Sequence, residues 1–201
     1  MKTLAWTAIY LAALVWSAIA PKDFFTWLLE VLPALIGGGV LVATRRRFPL
    51  TPLVYVLILA HCLILMQGGH YTYADEPLFN RLKEVFGWSR NNYDKLGHLA
   101  QGFIPAMVTR EILLRKAVVR GRGWLNFLVV CVCLAISAFY ELLEWWVAVL
   151  SGTAADAFLA TQGYVWDTQS DMGFALLGAI SALFLLGKMH DRQLVELPGG
   201  G

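Results

Sequence analysis

Long apolar runs separated by short polar stretches set the pattern of this chain. Six runs approach the ~20 residues that an α-helix needs to cross a bilayer, and they cover residues 4–20, 24–43, 50–66, 96–114, 124–150 and 168–187. Helices are the predicted elements, because lipid cannot satisfy open backbone groups and no run alternates like a barrel strand. We predict an all-α, polytopic membrane protein with six transmembrane helices, one domain over 1–192 and a disordered tail over 193–201.

The amino-acid composition agrees with this class. Hydrophobic residues make up 58% of the 201 residues and charged residues only 15%, whereas a soluble domain carries about 25% charged residues. Lys2, the apolar stretch after it and Ala18-Ile19-Ala20 have the pattern of a signal peptide, but Pro21 disfavours cleavage. We expect residues 1–20 to remain as the first membrane anchor.

Basic residues are concentrated in alternate connections. Eleven of the 16 lysines and arginines lie near the two chain ends and in the connections that follow the second and fourth spans. The positive-inside rule assigns these regions, and with them both termini, to the cytoplasm. The outer half collects 11 of the 14 carboxylates. We predict a multi-pass protein of the bacterial inner membrane, with lipids rather than nucleic acid as partners; the oligomeric state stays open.

The longest external connection covers residues 67–95. It is predicted to contain a short amphipathic helix near Leu78–Phe86 that lies on the membrane surface. His70 and Tyr71 lie at the outer end of the third span, where this connection begins, and both are candidates for proton transfer or for additional metal ligation.

Ionisable side chains lie in pairs at the outer boundary of three predicted spans. Each pair is spaced by three or four residues: Asp94 and His98, Glu141 and Glu144, Asp167 and Asp171. This spacing places both members of a pair on one face of a helix. Because ionisable residues inside a span are costly and usually mark function, we expect all six in one pocket that opens to the external side.

The chemistry of these side chains favours a metal site. Carboxylates and imidazole suit Zn, Mn or Fe, and helical bundles build such sites from inward-facing pairs. The predicted ligands of this divalent metal are Asp94, His98, Glu144, Asp167 and Asp171. Glu141 is the predicted general base on metal-activated water, with His70 or Tyr71 assisting proton transfer.

Helix capping is the alternative explanation for the aspartates. Asn91-x-x-Asp94 and Thr168-x-x-Asp171 both resemble capping boxes, in which the helix dipole also favours the carboxylate. Asp167 can equally be a solvated residue at the start of its helix. Taken singly, each aspartate fits capping better than metal ligation.

Capping cannot explain Glu141 and Glu144, because Trp145 and Trp146 continue their span. Two ionised glutamates one turn apart repel each other and require a shared proton, a cation or a basic partner. We expect no lysine or arginine near them in the outer half of any span, which leaves a proton or a metal ion.

Six strings of the sequence together resemble one family. They are GGHYTY (68–73), RNNYDKLGH (90–98), QGFIPA (101–106), REILLR (110–115), AFYELLEWW (138–146) and WDTQSDM (166–172). This combination resembles the YjdF family of bacterial inner-membrane proteins, a domain-of-unknown-function family, over roughly 50–190. The resemblance implies a membrane location and a multi-helix fold, without an established activity. The fragment Asp94-Lys-x-x-His98 is also similar to VanZ-like membrane proteins.

Three functions are open at this point. The leading hypothesis is a metal-dependent hydrolase or transferase that acts on a lipid-linked or headgroup substrate. A cation- or proton-coupled transporter is the second, although no inverted repeat and no inner polar path are evident in the sequence. The third is a non-catalytic assembly or stress protein whose polar residues only fix helix packing.

Overall fold

All regular structure in the described part of the chain is helical. The computed structural model describes residues 3–151 and 156–197, and its helices are α1 (Thr3–Ala18), α2 (Phe24–Thr44), α3 (Pro52–Tyr71), α4 (Pro77–Phe86), α5 (Tyr93–Arg115), α6 (Arg122–Ser151), α7 (Asp156–Leu159) and α8 (Asp167–Glu196), with a 3₁₀ turn at Tyr73–Asp75. The all-α prediction is confirmed, and α4 is the short helix that was predicted in the longest connection.

Four of these helices are long and apolar enough to cross a membrane, namely α2, α3, α6 and α8. The other two predicted spans correspond to α1 and α5. α1 is apolar but has only 16 residues. α5 has 23 residues but carries charged side chains near both of its ends. Length and composition therefore support a multi-pass membrane protein, with these two helices differing from the other four.

α5 and α8 make the most extensive helix contact in the structure, and they run in the same direction. Near their N-terminal ends, the Lys95 ammonium donates to Asp171. Near their C-terminal ends, the Arg110 guanidinium donates to His190. The two helices thus bring the polar residues of both their ends together.

Two glycines allow this close approach of α5 and α8. A Cβ on Gly102 would lie 1.8 Å from the carbonyl oxygen of Ala175, and a Cβ on Gly178 would lie 2.1 Å from that of Leu99. Backbone oxygens cannot move away as a flexible side chain can. Helix packing through small residues is common in membranes, and here it holds the polar ends of the two helices in register.

α3 runs opposite to α5. Tyr93, at the start of α5, donates a hydrogen bond to the carbonyl oxygen of Ile64 in the second half of α3. Glu111, near the end of α5, accepts a hydrogen bond from Thr51, which precedes α3. Both ends of α5 are therefore tied to α3 by side-chain hydrogen bonds.

The directions of the remaining long helices follow from contacts near their ends. α6 begins beside the end of α8, where Arg122 donates to Asp191. Trp27 near the start of α2 donates to Ser17 at the end of α1, so these two helices are antiparallel. Direction therefore alternates along the chain through α1, α2, α3, α5, α6 and α8.

α2 begins directly after a capping residue. The Asp23 side chain accepts a hydrogen bond from the backbone N–H of Thr26 at 2.7 Å. This hydrogen bond stabilises the charged carboxylate and lowers the pKa of Asp23 below its ordinary value. The cap fixes the start of α2 and therefore also the position of Glu30, two turns further along the helix.

α8 continues beyond residue 192, where the predicted domain ends. Residues 193–196, which were assigned to a disordered tail, are helical. The Gln193 side chain explains part of this order, because its oxygen accepts from the backbone N–H of Leu53 at 2.8 Å. That N–H lies in the first turn of α3, where backbone donors lack a partner within the helix. Residues 198–201, the rest of the predicted tail, lie outside the described residues.

Candidate functional site

A buried group of ionisable side chains lies where α5 and α8 begin. The aspartate cluster, as it is called below, consists of Arg90, Asp94, Lys95, His98, Asp167 and Asp171, and each is at most 8% exposed. It contains three carboxylates and two permanently basic groups. With a neutral imidazole, the cluster therefore has an excess of one negative charge.

Lys95 bridges the three carboxylates. Its ammonium lies 3.2 Å from Asp94 Oδ2, 2.8 Å from Asp167 Oδ1 and 2.5 Å from Asp171 Oδ1. The aspartates therefore have a basic partner that the sequence pattern did not predict, whereas the expectation that no lysine or arginine lies near Glu141 and Glu144 stays a prediction. Lys95 points inward because α8 runs parallel to α5 and presents Asp167 and Asp171 to it.

Arg90 supplies the second basic group. Its guanidinium donates to Asp167 Oδ1, to Asp94 Oδ2 at 3.3 Å and to the carbonyl oxygen of Ala160 at 3.2 Å. Asp167 is thus buried between two cations, and it is not the solvated residue of the alternative explanation. Its contacts assign it to holding Arg90 and Lys95.

His98 lies on the other side of the aspartates. Its Nε2 atom is 3.3 Å from Asp94 Oδ1 and 3.8 Å from Asp171 Oδ2. Its Nδ1 atom is 3.2 Å from the side-chain oxygen of Gln101. When Nδ1 donates to Gln101, the unprotonated Nε2 of a neutral imidazole faces two carboxylate oxygens. That arrangement requires a proton or a cation between them.

The ligand atoms of Asp94, His98 and Asp171 lie within 4.8 Å of one another. Ligands about 2.0–2.2 Å from a tetrahedral Zn²⁺ are themselves about 3.3–3.6 Å apart. The separation of 3.3 Å between His98 Nε2 and Asp94 Oδ1 falls in that range, and the 3.8 Å to Asp171 Oδ2 lies slightly above it. These three residues are therefore the members of the predicted ligand set whose geometry suits a metal.

Glu141 and Glu144 approach the aspartate cluster from α6. Glu141 lies within electrostatic range of His98 and Asp94. It is 9% exposed, and its Oε1 atom is buried without a hydrogen-bond partner in the part of the chain that the structure describes. Glu144 lies within electrostatic range of other carboxyl groups, Glu141 among them. α6 thus adds two carboxyl groups to a site that already has three.

Glu30 and Tyr140 extend the site, and neither was singled out from the sequence. Glu30, on α2, is 2% exposed and accepts a hydrogen bond from the Tyr140 hydroxyl at 3.3 Å. Tyr140 directly precedes Glu141, and its ring lies 6.3 Å from the ring of His98. A fourth helix therefore contributes a carboxylate to the same region.

A cavity of about 230 Å³ lies beside His98. Gln101, Tyr73 and Tyr140 line it, and it reaches His61 in the middle of α3. At about 30 Å³ per water molecule, this volume holds several waters or one small polar group, but not a whole lipid. The cavity makes His98 accessible to a small reactant.

His70 and Tyr71 do not line this cavity. The His70 ring stacks against Trp16 with 4.5 Å between ring centroids, and its Nδ1 atom is 3.2 Å from the carbonyl oxygen of Ser17. Tyr71 also packs against Trp16. These contacts give both residues a packing role between α1 and α3. Tyr73 lines the cavity instead.

Capping does not account for Asp94 and Asp171. Asn91 accepts a hydrogen bond from the Tyr93 N–H at 2.9 Å, but its own N–H donates to Gln162 and not to Asp94, the partner that a capping box requires. Thr168 lies inside α8, and Trp166, at the cap position of that helix, makes no capping hydrogen bond with its side chain. Both aspartates instead bond to Lys95. Asp94 on α5 and Asp171 on α8 thus connect the two parallel helices through Lys95.

A second buried cluster lies at the opposite ends of α5 and α8. The Glu111 cluster consists of Thr51, Arg110, Glu111, Arg115, His190 and Asp191. Glu111 and His190 have no exposed surface. The Glu111 carboxylate accepts from Thr51 Oγ1 at 2.7 Å, from Arg115 at 2.9 Å and from His190 Nε2 at 3.0 Å.

The protonation state of His190 follows from its partners. Arg110 lies 2.8 Å from His190 Nδ1, and a guanidinium can only donate. Nδ1 must therefore accept, and Nε2 carries the proton that it donates to Glu111. His190 is a neutral imidazole with both nitrogens satisfied, which closes the network.

Comparison with known proteins agrees with the membrane class and confirms the family resemblance. A family profile described as "Predicted membrane protein (DUF2238)" matches residues 2–192. The "Inner membrane protein YjdF" of Escherichia coli (strain K12) is 56% identical over 181 residues, which is 90% of this chain and 87% of that protein. No solved structure matches the chain significantly. The chain therefore belongs to the DUF2238 family of predicted membrane proteins.

Proposed function

We propose that this chain is a metal-dependent enzyme of the bacterial inner membrane, a hydrolase or transferase that acts on a lipid-linked or headgroup substrate. The observation that carries the proposal is the spacing of Asp94 Oδ1, His98 Nε2 and Asp171 Oδ2 around a common point. Two aspartates and one histidine suit Zn, Mn or Fe. Asp167, which was also predicted to be a ligand, holds the two basic residues in place instead.

Charge supports a cation at this point. Lys95 contacts only one oxygen of each of Asp94 and Asp171, and the other two oxygens face His98. Glu141 adds a buried carboxylate whose Oε1 has no hydrogen-bond partner among the described residues. A divalent ion would offset this negative charge. It would also separate His98 Nε2 from the two carboxylate oxygens with a positive charge, which is what a proton on Nε2 would otherwise do.

The chemistry of the proposed reaction uses Glu141 as general base. A bound divalent metal lowers the pKa of its water ligand, and a nearby carboxylate accepts the released proton. Glu141 lies near His98, and the cavity beside His98 provides space for water and for the reacting group of a substrate. Tyr140, which contacts Glu30, replaces His70 and Tyr71 as the proposed proton-transfer residue.

The proposal includes six membrane crossings with both termini in the cytoplasm. The alternating helix directions and the alternation of basic connections support it. From Asp94 to Glu111, α5 covers about 25 Å at 1.5 Å per residue, close to the ~30 Å hydrocarbon core. The aspartate cluster then lies at the external boundary and the Glu111 cluster at the cytoplasmic one.

Cysteine labelling tests this topology. Val85 in α4 and Val118 between α5 and α6 are 75% and 62% exposed. In a variant in which Cys62, Cys131 and Cys133 are alanine, Val85→Cys should react with an impermeant maleimide in spheroplasts. Val118→Cys should react only after the membrane is permeabilised. Equal labelling of the two cysteine variants in intact spheroplasts would contradict the proposed topology.

Lipid turnover tests the enzymatic activity. The purified protein is incubated with Zn²⁺, Mn²⁺ or Fe²⁺ and a mixture of phosphatidylethanolamine, phosphatidylglycerol and undecaprenyl pyrophosphate, and products are followed by mass spectrometry. Loss or transfer of a headgroup should require the metal and should disappear in Asp171→Asn. Asp191→Asn, at the opposite end of α8, is the matched control and should keep the activity.

Cation- or proton-coupled transport is the second candidate. The cavity favours it, because it extends from His98 to His61 in the middle of α3. A transported ion binds transiently, whereas a catalytic metal resists a chelator. Three results together would indicate a transporter and not an enzyme: an ion that exchanges readily, no lipid turnover, and cation flux into proteoliposomes. If the protein shows no lipid turnover, no cation flux and no bound metal, the non-catalytic assembly role is the remaining hypothesis.

A further inference from the structure

An open groove of about 670 Å³ lies between α6 and α8, beside the Glu111 cluster. Phe127, Ile180 and Phe184 line its apolar part and are 57%, 51% and 86% exposed. The groove is distinct from the cavity beside His98, which lies at the other end of the helices. It is also larger by a factor of about three.

The apolar part of the groove has the length of a lipid chain segment. From Ile180 to Lys188, α8 covers about 12 Å at 1.5 Å per residue. One leaflet of a ~30 Å hydrocarbon core is about 15 Å thick. A groove of this length that faces the side of the bundle accommodates the part of an acyl chain nearest to the headgroup.

Basic side chains close one end of the groove. Arg110, Arg122 and Lys188 all line it. Asp191 pairs with both arginines, at 2.5 Å from Arg110 and 3.3 Å from Arg122. Three basic groups against one carboxylate leave an excess of two positive charges at this end.

The basic end is suited to a phosphate. The buried Arg110 is held in place by His190 and Asp191, so its guanidinium is ordered before any ligand arrives. Guanidinium groups match phosphate oxygens in geometry, and lysine adds a mobile point charge. Arg122 and Lys188 are exposed and can adjust to a headgroup.

We propose that this groove is a binding site for an anionic phospholipid. Its phosphate lies among Arg110, Arg122 and Lys188, and one acyl chain lies along Phe127, Ile180 and Phe184. The site is in the cytoplasmic leaflet if the proposed topology holds. It does not depend on metal binding or catalysis at the aspartate cluster.

Charge complementarity favours a lipid over a second copy of this chain. Two copies inserted in the same orientation that met across this groove would bring their basic ends together, and like charges across an interface are unfavourable. An anionic lipid headgroup instead neutralises the excess positive charge. Clusters of lysine and arginine at the cytoplasmic boundary attract anionic lipid headgroups.

Native mass spectrometry of the full-length protein tests the site. Phosphatidylglycerol and phosphatidylethanolamine with identical acyl chains are titrated onto the delipidated protein. We expect phosphatidylglycerol to bind at least about tenfold more tightly. Arg122→Gln combined with Lys188→Gln should weaken its binding about tenfold or more, because two headgroup charges are lost. These two side chains are exposed, so the variant keeps its fold.

Two further variants separate the site from general surface attraction. Arg45→Gln combined with Arg46→Gln removes the same charge from another basic connection and should leave the affinity unchanged. Leu183→Trp keeps all charges but fills the groove, and it should reduce binding of the lipid. Equal affinity for both lipids, or an equal loss in the Arg45/Arg46 variant, would overturn the proposal, as would a dimer in which the groove excludes lipid.

Discussion

The two buried clusters occupy opposite ends of the same helix pair, yet they are built differently. In the Glu111 cluster, both carboxylate oxygens of Glu111 accept hydrogen bonds, and both nitrogens of His190 are satisfied. At the aspartate cluster, three carboxylates face two permanently basic groups and one imidazole. Arg90 Nε and Glu141 Oε1 are buried there without a hydrogen-bond partner among residues 3–151 and 156–197.

This difference separates a structural role from a binding role. A network in which the central carboxylate and imidazole are both satisfied joins helices and leaves neither of these two groups free to bind a metal ion. An open network with excess charge is costly in the absence of a cation or a proton, and native proteins keep such groups mainly where they function. We therefore propose a helix-joining role for Glu111 and His190 and metal binding at the aspartate cluster. Arg110, at the edge of the Glu111 cluster, lines the groove and remains available to the proposed lipid phosphate.

The largest expected effect is on stability, at the closed cluster. Glu111→Ala leaves Arg115 and the Thr51 N–H without their buried acceptor. Breaking a buried ion pair from one side costs about 3–5 kcal/mol. Thermal unfolding in detergent should show a large fall in Tm, and Glu196→Ala, on the exposed end of α8, should show almost none. Equal Tm values for the two variants would mean that the Glu111 cluster is not structural.

A smaller effect is expected at the ammonium that bridges the aspartates. Lys95→Met leaves Asp94 and Asp167 with Arg90 as their basic partner, whereas Asp171 loses its ammonium contact. The change should cost about 3 kcal/mol, the lower end of the range for a broken buried pair, because Arg90 stays. Added Zn²⁺ or Mn²⁺ should restore part of the lost Tm, because a cation replaces the ammonium. The same ions should not rescue Glu111→Ala. Rescue of both variants, or of neither, would remove the distinction between the clusters.

The smallest effect on stability is expected for Glu141→Gln. Neutralising a buried carboxylate with an unsatisfied oxygen should change stability by no more than about 1 kcal/mol, toward higher Tm. Metal content or activity should nevertheless fall, and Glu144→Gln should lower it as well. Glu84→Gln, in the exposed part of α4, is the control. A higher Tm with normal metal content in both Gln variants would make the glutamate pair a strained structural feature.

The helices and the convergence of the acidic pairs were predictable from the sequence. Apolar runs predicted the six long helices, with the largest differences at the C-terminal ends of α3 and α8. The spacing of Asp94–His98 and Asp167–Asp171 predicted shared faces. That these faces meet depends on α5 and α8 running parallel, which follows from the alternation of the connections.

The basic partners of the aspartates and the carboxylate of Glu30 were not predicted. Lys95 is adjacent to Asp94 and was treated as part of a solvated connection, because spacing rules compare residues three or four apart. Arg90 is four residues before Asp94, and this helical spacing could have predicted their contact. Glu30 has no partner at helical spacing, so only the packing of α2 near Tyr140 shows its place.

The Glu111 cluster was seen in the sequence only as part of a basic connection. REILLR has two arginines around one glutamate and is typical of a cytoplasmic helix end. His190 is 79 residues away from Glu111 and meets it only because the small residues of α5 and α8 hold these helices in register. A polar contact across this distance along the chain has no local signature.

Metal content per folded chain in three versions of the protein tests the central claim most directly. Wild type, His98→Gln and His190→Gln are purified without chelator from cells supplied with Zn, Mn and Fe, dialysed, and measured by elemental analysis. We predict about one divalent ion per chain in wild type and in the folded fraction of His190→Gln, and almost none in His98→Gln. An absence of metal from folded wild-type protein, or equal loss in both histidine variants, would contradict the assignment of ligand binding to the aspartate cluster.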